Sequence, residues 1–308
     1  MIPIINAAAL LDKSEPAHQQ MTKHVAEATT GIGFMVVENT PIAAKTVSDL
    51  IEHYRQFFKL PEASKAPYDM AKTGSNRGWG ASGSEQVDPN ANPDYKQVFD
   101  CGSTASDKNP TASLGLSAYG PNLWPDQPSG FSDAVKAYYA ESTSFSLDLL
   151  CAIAGAIGHD ERYFRDQFSH PMALLRGNYY PERPEWAGDK DFGIATHTDY
   201  GCLTLLATDG SPGLEVQHRN GGWVPVSAAP GSFVINFGEM LEYWTEGQVK
   251  ATPHRVVGSS HERISVPLFF NPNHDTNVAP KNTGDVIPAI DHLQKRYDET
   301  YLHLHKAS

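Results

Sequence analysis

A histidine and an aspartate two residues apart, His197 and Asp199, stand in the run Ile194-Ala195-Thr196-His197-Thr198-Asp199-Tyr200-Gly201. On a β-strand the side chains alternate faces with period two, so this imidazole and this carboxylate are expected on one side. They offer two adjacent corners of a metal octahedron. A third ligand has to come from elsewhere, and His254 in Thr252-Pro253-His254-Arg255-Val256-Val257 is the candidate. Two imidazoles and one carboxylate on one face, with the remaining positions open, suit Fe(II). The same donors also suit catalytic zinc.

A lone His-x-Asp arises often by chance, and a strand histidine more commonly bonds a nearby carbonyl. The downstream context changes that weighting. In Arg263-Ile264-Ser265 the alternation again puts the two polar residues on one face. A buried Arg beside a metal site needs an anion, because an unpaired buried charge is costly. An Arg fork with a neighbouring hydroxyl suits a carboxylate. Triad and clamp together point to a cosubstrate that chelates metal at one end and carries an anion at the other.

The ordered pattern of His-x-Asp, then His-Arg-Val, then Arg-x-Ser resembles the isopenicillin N synthase-like family of Fe(II)/2-oxoglutarate-dependent dioxygenases. The resemblance extends over nearly the whole chain, through Gly33-Phe34-Met35-Val36-Val37-Glu38-Asn39, Phe57-Phe58-Lys59-Leu60-Pro61, Gly120-Pro121-Asn122-Leu123-Trp124-Pro125 and Asn178-Tyr179-Tyr180-Pro181. It implies an oxidoreductase in which His197, Asp199 and His254 are the metal and catalytic residues. The 2-oxo acid end of 2-oxoglutarate would chelate the iron, and Arg263 and Ser265 would hold its distal carboxylate. Tyr180 and Asn178 would add hydrogen bonds. Fe(II), 2-oxoglutarate and O2 would be consumed or used with release of succinate and CO2, and the substrate would be hydroxylated, desaturated or cyclised. Some members use Fe(II) and O2 without 2-oxoglutarate, which is the alternative within the family. A zinc hydrolase and a non-catalytic metabolite sensor are the alternatives from other classes. Two local departures, Gly238-Glu239-Met240-Leu241 and Thr245-Glu246-Gly247, do not touch the ligands.

Composition narrows the partners. The chain has 308 residues, 40% of them hydrophobic, and a formal net charge of −12. That balance provides for a sizeable core and disfavours nucleic acid or an anionic membrane as partner. Cys101, Cys151 and Cys202 have no spacing typical of a disulfide framework or zinc site, so a reducing cytoplasmic setting is expected. The N-terminal residues lack the pattern of a signal peptide. The most apolar run, residues 149–157, is far shorter than the roughly 20 residues a membrane-spanning helix needs. The expected state is a monomer.

Helices are expected over residues 17–29, 43–58, 132–157 (capped by Ser132 and ended by Gly158), 160–167, 239–244 and 290–303. Short strands are expected over residues 172–180, 193–199, 202–208, 214–218, 223–226, 232–237, 254–257 and 264–270, with Asn220-Gly221-Gly222 as a hairpin turn. The expected fold is mainly β with flanking helices. A double-stranded β-helix, or jelly roll, forms its core, preceded by an N-terminal helical and mixed region. Residues 1–170 are the expected N-terminal region and 171–308 the core with a C-terminal helix.

Residues 71–110 are rich in Gly, Ser, Asn, Asp and Pro, which is loop chemistry. Long loops in compact domains often carry function. Arg77 and Lys96 lie in this loop near Trp79 and Phe99, and Phe269 alternates with Arg263, Ser265 and Pro267. Arg77, Lys96, Phe99 and Phe269 are therefore the candidate substrate residues, for a small organic molecule that carries a carboxylate. Solvated surface charges and core aromatics are the competing reading for this group.

Overall fold

The computed structural model describes residues 2–73, 76–105, 115–188 and 191–300. Among these, twelve strands form two sheets. They are β1 (Ile4–Asn6), β2 (Phe34–Glu38), β3 (Gly78–Gly80), β4 (Gln97–Gly102), β5 (Met172–Tyr180), β6 (Ile194–His197), β7 (Leu203–Thr208), β8 (Leu214–Gln217), β9 (Trp223–Pro225), β10 (Phe233–Phe237), β11 (His254–Val256) and β12 (Arg263–Asn271). The large sheet has the order β1-β2-β10-β7-β12-β5-β4-β3, and the small one β6-β11-β8-β9. The expected core strands are all present, and the two sheets with flanking helices give the expected jelly-roll core.

Alternation in the large sheet decides what each face does. On β12, Ile264, Val266, Leu268 and Phe270 join Leu203, Leu205 and Ala207 of β7 and Phe233, Ile235 and Phe237 of β10 in the main hydrophobic core. That core is completed by α1 (Ala7–Leu11), α2 (His18–Thr30), α3 (Ala44–Phe58) and α5 (Phe131–Ala156). The opposite face, with Leu206, Val234, Phe34 and Tyr180, packs against Leu214, Val216 and Val256 of the small sheet. The polar members Arg263, Ser265, Asn178, Thr204 and Asn236 occupy this second face. Period-two alternation thus separates a dry structural side from a side that carries chemistry.

The long helix α5 starts at Phe131, with Gly130 at its N-cap and no side-chain cap bond. Ser132 therefore lies inside the first turn, and not at the cap as expected. A glycine is tolerated there because its φ of 80° is left-handed. The C-terminal end behaves as expected, with Ile157 at the cap and Gly158 at φ 87° beyond it. Residues 161–164 form turns, and with a 3-10 helix over Arg165–Phe168 they replace the α-helix expected over 160–167. Two short elements intervene before the C-terminus, α4 (Glu62–Lys65) and α6 (Glu239–Trp244), and α7 (Ala289–Thr300) closes the described chain. Residues 301–303 of the expected C-terminal helix lie outside the described residues.

The turn-rich segment from residue 71 contributes more than loop. Its strands β3 and β4 pair antiparallel with each other, and β4 pairs with β5 through Val98↔Asn178 and Asp100↔Arg176. On β12 the pairing with β5 is interrupted between Ser265↔Asn178 and Leu268↔Leu175. Pro267 accounts for the gap, since it has no N–H to give the ladder. Among the described residues, no helix is long and apolar enough to cross a membrane.

Candidate active site

The two histidines are brought together by cross-strand pairing. His254 on β11 lies directly opposite His197 on β6, and their ring centroids are 4.3 Å apart. Asp199 does not share the strand, which ends at His197. It sits in the turn that follows, where Glu239 N–H donates to its carbonyl at 2.8 Å. That turn packs so closely that a Cβ on Gly238 would fall 2.3 Å from the Gly201 carbonyl oxygen, and one on Gly201 would fall 1.8 Å from Asn271 Oδ1. Glycine at both positions lets the turn fold back and return the carboxylate to the imidazoles. Asp199 Oδ1 lies 3.9 Å from His197 Nε2 and 3.7 Å from His254 Nε2.

Supporting contacts fix which atoms face inward. His197 Nδ1 is 2.8 Å from the Ala195 carbonyl and His254 Nδ1 3.1 Å from that of Thr252. With Nδ1–H donating to a carbonyl, each Nε2 keeps its lone pair for a metal. Asp199 Oδ2 accepts from Thr204 Oγ1 and, at 2.6 Å, from Asn236 Nδ2. Oδ1 is left for the same centre. Burial pushes the His197 imidazole down to about 3, and His254 beside it pushes in the same direction. Burial opposes ionisation of Asp199, but the two imidazoles and the bonds from Thr204 and Asn236 hold its carboxyl below the usual value. A neutral His197 imidazole and an ionised Asp199 carboxylate are the forms in which these groups bind a divalent cation. His197, Asp199 and His254 offer one ligand atom each, all within 4.8 Å of one another.

The cavity in front of this triad has a free volume of about 120 Å3. It continues to Arg263, Ser265, Asn178 and Tyr180. The register sets this wall, with Arg263 opposite Tyr180 and Ser265 opposite Asn178. Arg263 is 3% exposed, and its guanidinium lies 5.0 Å from the centre of the Tyr180 ring. Among the described residues, its Nε and Nη1 have no hydrogen-bond partner. A buried guanidinium with two idle donors is unfavourable unless an anion arrives. The donor set of the triad thus fits Fe(II), and the wall at Arg263 fits a carboxylate.

The candidate substrate residues divide. Phe269 lines the cavity, as its alternation required. Phe99 does not. It is fully buried on the helical side of the sheet, 4.9 Å from Phe57 and 5.3 Å from Phe131 between ring centroids. The reason is parity, because odd-numbered residues of β4 face the helices. Arg77 is also away from this cavity. It lines a smaller neighbouring one, bonds the Ala118 carbonyl at 2.9 Å and is 5% exposed. Lys96 reaches the wall but is locked between Glu85 Oε2 at 2.7 Å and Asp94 Oδ2 at 2.8 Å. The sequence reading missed Thr204 and Asn236, and it also missed Glu85 and Arg176, which line the cavity. For Thr204, Asn236 and Arg176, a position on the inward face of β7, β10 or β5 was the available signal.

Comparison with known proteins agrees with this geometry. Residues 2–127 match the family described as non-haem dioxygenase in morphine synthesis N-terminal, and residues 171–272 match the 2OG-Fe(II) oxygenase superfamily. The Homoarginine-6-hydroxylase 2-ODD-C23 of Glycine max is 30% identical over 92% of this chain and 88% of its own length. The chain belongs to the 2OG-Fe(II) oxygenase superfamily. A 2-oxoglutarate-Fe(II) type oxidoreductase of Aspergillus fumigatus is 28% identical, covering 89% of this chain and 82% of that protein. A full-length protein of Neurospora crassa, solved in complex with alpha-KG, superposes with a TM-score of 0.84 at 26% identity over 96% of this chain and 95% of its own. The same Neurospora protein has been solved with alpha-KG and thymine. This oxygenase is therefore a 2-oxoglutarate-dependent dioxygenase, with Fe(II), 2-oxoglutarate and O2 as its cofactors.

Proposed function

We propose that this dioxygenase hydroxylates a small, polar organic molecule, with iron held by His197, Asp199 and His254 and 2-oxoglutarate held by Arg263, Ser265, Tyr180 and Asn178. The observation that carries the reading is Arg263, whose buried guanidinium keeps Nε and Nη1 without a partner among the described residues on the wall of the triad's own cavity. When bound, the iron with 2-oxoglutarate and O2 supplies the oxidising power to break a C–H bond, with succinate and CO2 as co-products. The chain's residues do the placing. Thr204 and Asn236 hold Asp199 so that one oxygen faces the metal position. The apolar walls Phe34, Leu206, Leu214 and Val256 keep water from the 2-oxoglutarate end. Hydroxylation is favoured over desaturation and cyclisation because the Glycine max relative is named a hydroxylase.

The substrate carboxylate expected from Arg77 and Lys96 has weak support here. Lys96 is paired with two carboxylates, and Arg77 faces a different cavity. A neutral polar substrate fits the lining better. We further propose membership of the isopenicillin N synthase-like branch, supported by Asn178-Tyr179-Tyr180-Pro181 and the other ordered motifs. The proposed division at residue 170 is supported by family matches on either side of it, although β1 to β4 complete the same sheet as β5. A monomer in a reducing cytoplasm is the proposed setting, supported by three free, buried cysteines.

The test is anaerobic addition of Fe(II) and 2-oxoglutarate, followed by succinate measurement in air. A weak visible charge-transfer band and succinate formation are expected, and both should vanish in His197→Ala and Asp199→Ala. A band that persists in Asp199→Ala overturns the ligand assignment.

A further inference from the structure

Away from the triad, the cavity wall is built from charged side chains, of which Glu85 and Lys96 are buried and Arg176 is partly buried. Glu85, Lys96 and Arg176 line it together with Val87, Leu174 and Phe269. The strand register accounts for part of this, since Asp100 on β4 lies opposite Arg176 on β5. Arg176 Nε donates to Asp100 Oδ1 at 2.8 Å and Nη2 to Oδ2 at 2.6 Å. Glu85 arrives from the loop between β3 and β4, which folds back through Asp94 N–H to the Glu85 carbonyl at 2.9 Å.

The two oxygens of Glu85 differ. Oε2 accepts from Lys96 Nζ at 2.7 Å and Arg176 Nη1 at 3.0 Å. Oε1 lies 2.9 Å from Arg176 Nη2, close enough for an ion pair, but receives no hydrogen bond among the described residues. The side chain is 3% exposed. A buried carboxylate oxygen without a donor carries a desolvation penalty that a ligand donor can remove. The charge balance of the wall says what kind of donor. Lys96 and Arg176 face Glu85, Asp94 and Asp100, and Arg77 bears electrostatically on Asp100. Counted with Arg77, which lies behind Asp100 and outside this cavity, three cations meet three carboxylates among the described residues, so the ion cluster that backs the wall has no net charge for a charged guest to neutralise.

We propose that Glu85 Oε1 determines substrate specificity by accepting a hydrogen bond from a neutral N–H group of amide type on the substrate. This rests on the dioxygenase reading of the cavity and names the chemical class of its substrate. An amide or imide N–H brings a donor without a charge, which a balanced wall requires. A carboxylate would set acceptor against acceptor at Oε1. A site whose buried acceptor has an unfilled hydrogen-bond position strongly rejects an analogue that lacks the donor, because that position then stays desolvated and unfilled beside the Arg176 ion pair.

The experiment measures binding by ligand-observed NMR to the protein loaded with Zn(II) and 2-oxoglutarate, so no turnover is needed. The probes are matched pairs, namely uracil with 1,3-dimethyluracil, succinimide with N-methylsuccinimide, and benzamide with N,N-dimethylbenzamide, plus sodium benzoate as the anion. At least one N–H member should bind at least tenfold more tightly than its methylated partner and more tightly than benzoate. Glu85→Gln places an NH2 donor at the Oε1 position once its amide oxygen takes the place of Oε2, so the preference should disappear. If Glu85→Gln does not fold, as circular dichroism would show, the pairs on the unaltered protein decide. Equal binding within every pair, tightest binding by benzoate, or no N–H probe bound at millimolar concentration overturns the proposal. The Fe(II) and 2-oxoglutarate band of the unaltered enzyme is read separately, so failure of the dioxygenase reading is distinguished from failure of this one.

Discussion

Replacing Arg263 by Lys keeps a positive charge at the end of β12 but removes the planar fork. In the structure, Nε and Nη1 of Arg263 are both without partners among the described residues, and the side chain is buried. Its donors are therefore free to be used in full by an incoming carboxylate. A lysine ammonium reaches the same anion from one point, so at least one charge-assisted hydrogen bond is lost, about 1.5–3 kcal/mol. At 1.4 kcal/mol per decade this is a roughly 10- to 150-fold weaker Kd for 2-oxoglutarate. Anaerobic calorimetry on the Fe(II)-loaded protein reads it directly. Arg263→Met is the companion. It removes both bonds, on the order of 3–6 kcal/mol, and it also removes a buried charge that has no anion when 2-oxoglutarate is absent. The melting temperature without cosubstrate should then be equal to or above that of the parent, while the stabilisation by added 2-oxoglutarate disappears. A Kd within threefold of the parent in Arg263→Lys would falsify the assignment of this wall to the cosubstrate.

Thr204→Val leaves Asn236 as the remaining side-chain donor to Asp199 Oδ2, and iron affinity should fall roughly 10- to 100-fold on the scale known for such supporting contacts. Chelator competition measures it, and an unchanged affinity means Thr204 does not hold the carboxylate. Phe99→Ala should destabilise the fold by about 3–5 kcal/mol without changing relative rates among substrates; altered preference would return Phe99 to the cavity. Glu85 is subject to burial, which pushes its carboxyl up, but Arg176 and Lys96 hold it down at about 2 against an ordinary 4.5. Its folded value lies below the unfolded one, so its contribution is complete above pH 4.5 and is lost as pH falls toward 2. That contribution is on the order of 3 kcal/mol. Urea unfolding of Glu85→Ala between about pH 7 and pH 3 should show a flatter acid limb than the parent, and a parallel limb contradicts the pairing.

The strands of the core were legible because alternation survives in them. Leu203 to Thr208, Phe233 to Phe237 and Arg263 to Asn271 each carry one apolar and one mixed face, and the second face is where the site lies. Asp199 shows the limit of that argument. Period two placed it beside His197 on a strand, but the strand ends at His197. The carboxylate reaches the imidazoles through a turn that depends on Gly201 and Gly238 making room. The conclusion was right about proximity for a reason that does not hold in the structure. Ser132 failed for a similar cause, as a good capping residue is only a cap if the helix starts after it, and α5 starts one residue before it.

The wall proposed to meet the substrate was illegible because its residues are defined by partners distant in sequence. Lys96 in a loop of polar residues reads as a solvated or ligand-seeking cation. Its meaning changes once Glu85 and Asp94 close on it, and burial then requires that pairing, since an isolated ammonium would not stay charged there. Arg176 has the same character on β5, where Asp100 sits opposite it in register. No periodicity links residues 85, 96, 100 and 176, and only sheet order brings them to one wall. Arg263 escaped this ambiguity because the clamp proposed for it lies within one strand, two residues from Ser265. The difference predicts where sequence reading will fail in related chains. Cosubstrate clamps carried by a single strand should be readable, whereas specificity walls assembled across β4, β5 and the preceding loop should not be, unless each buried charge is first matched to its counter-ion.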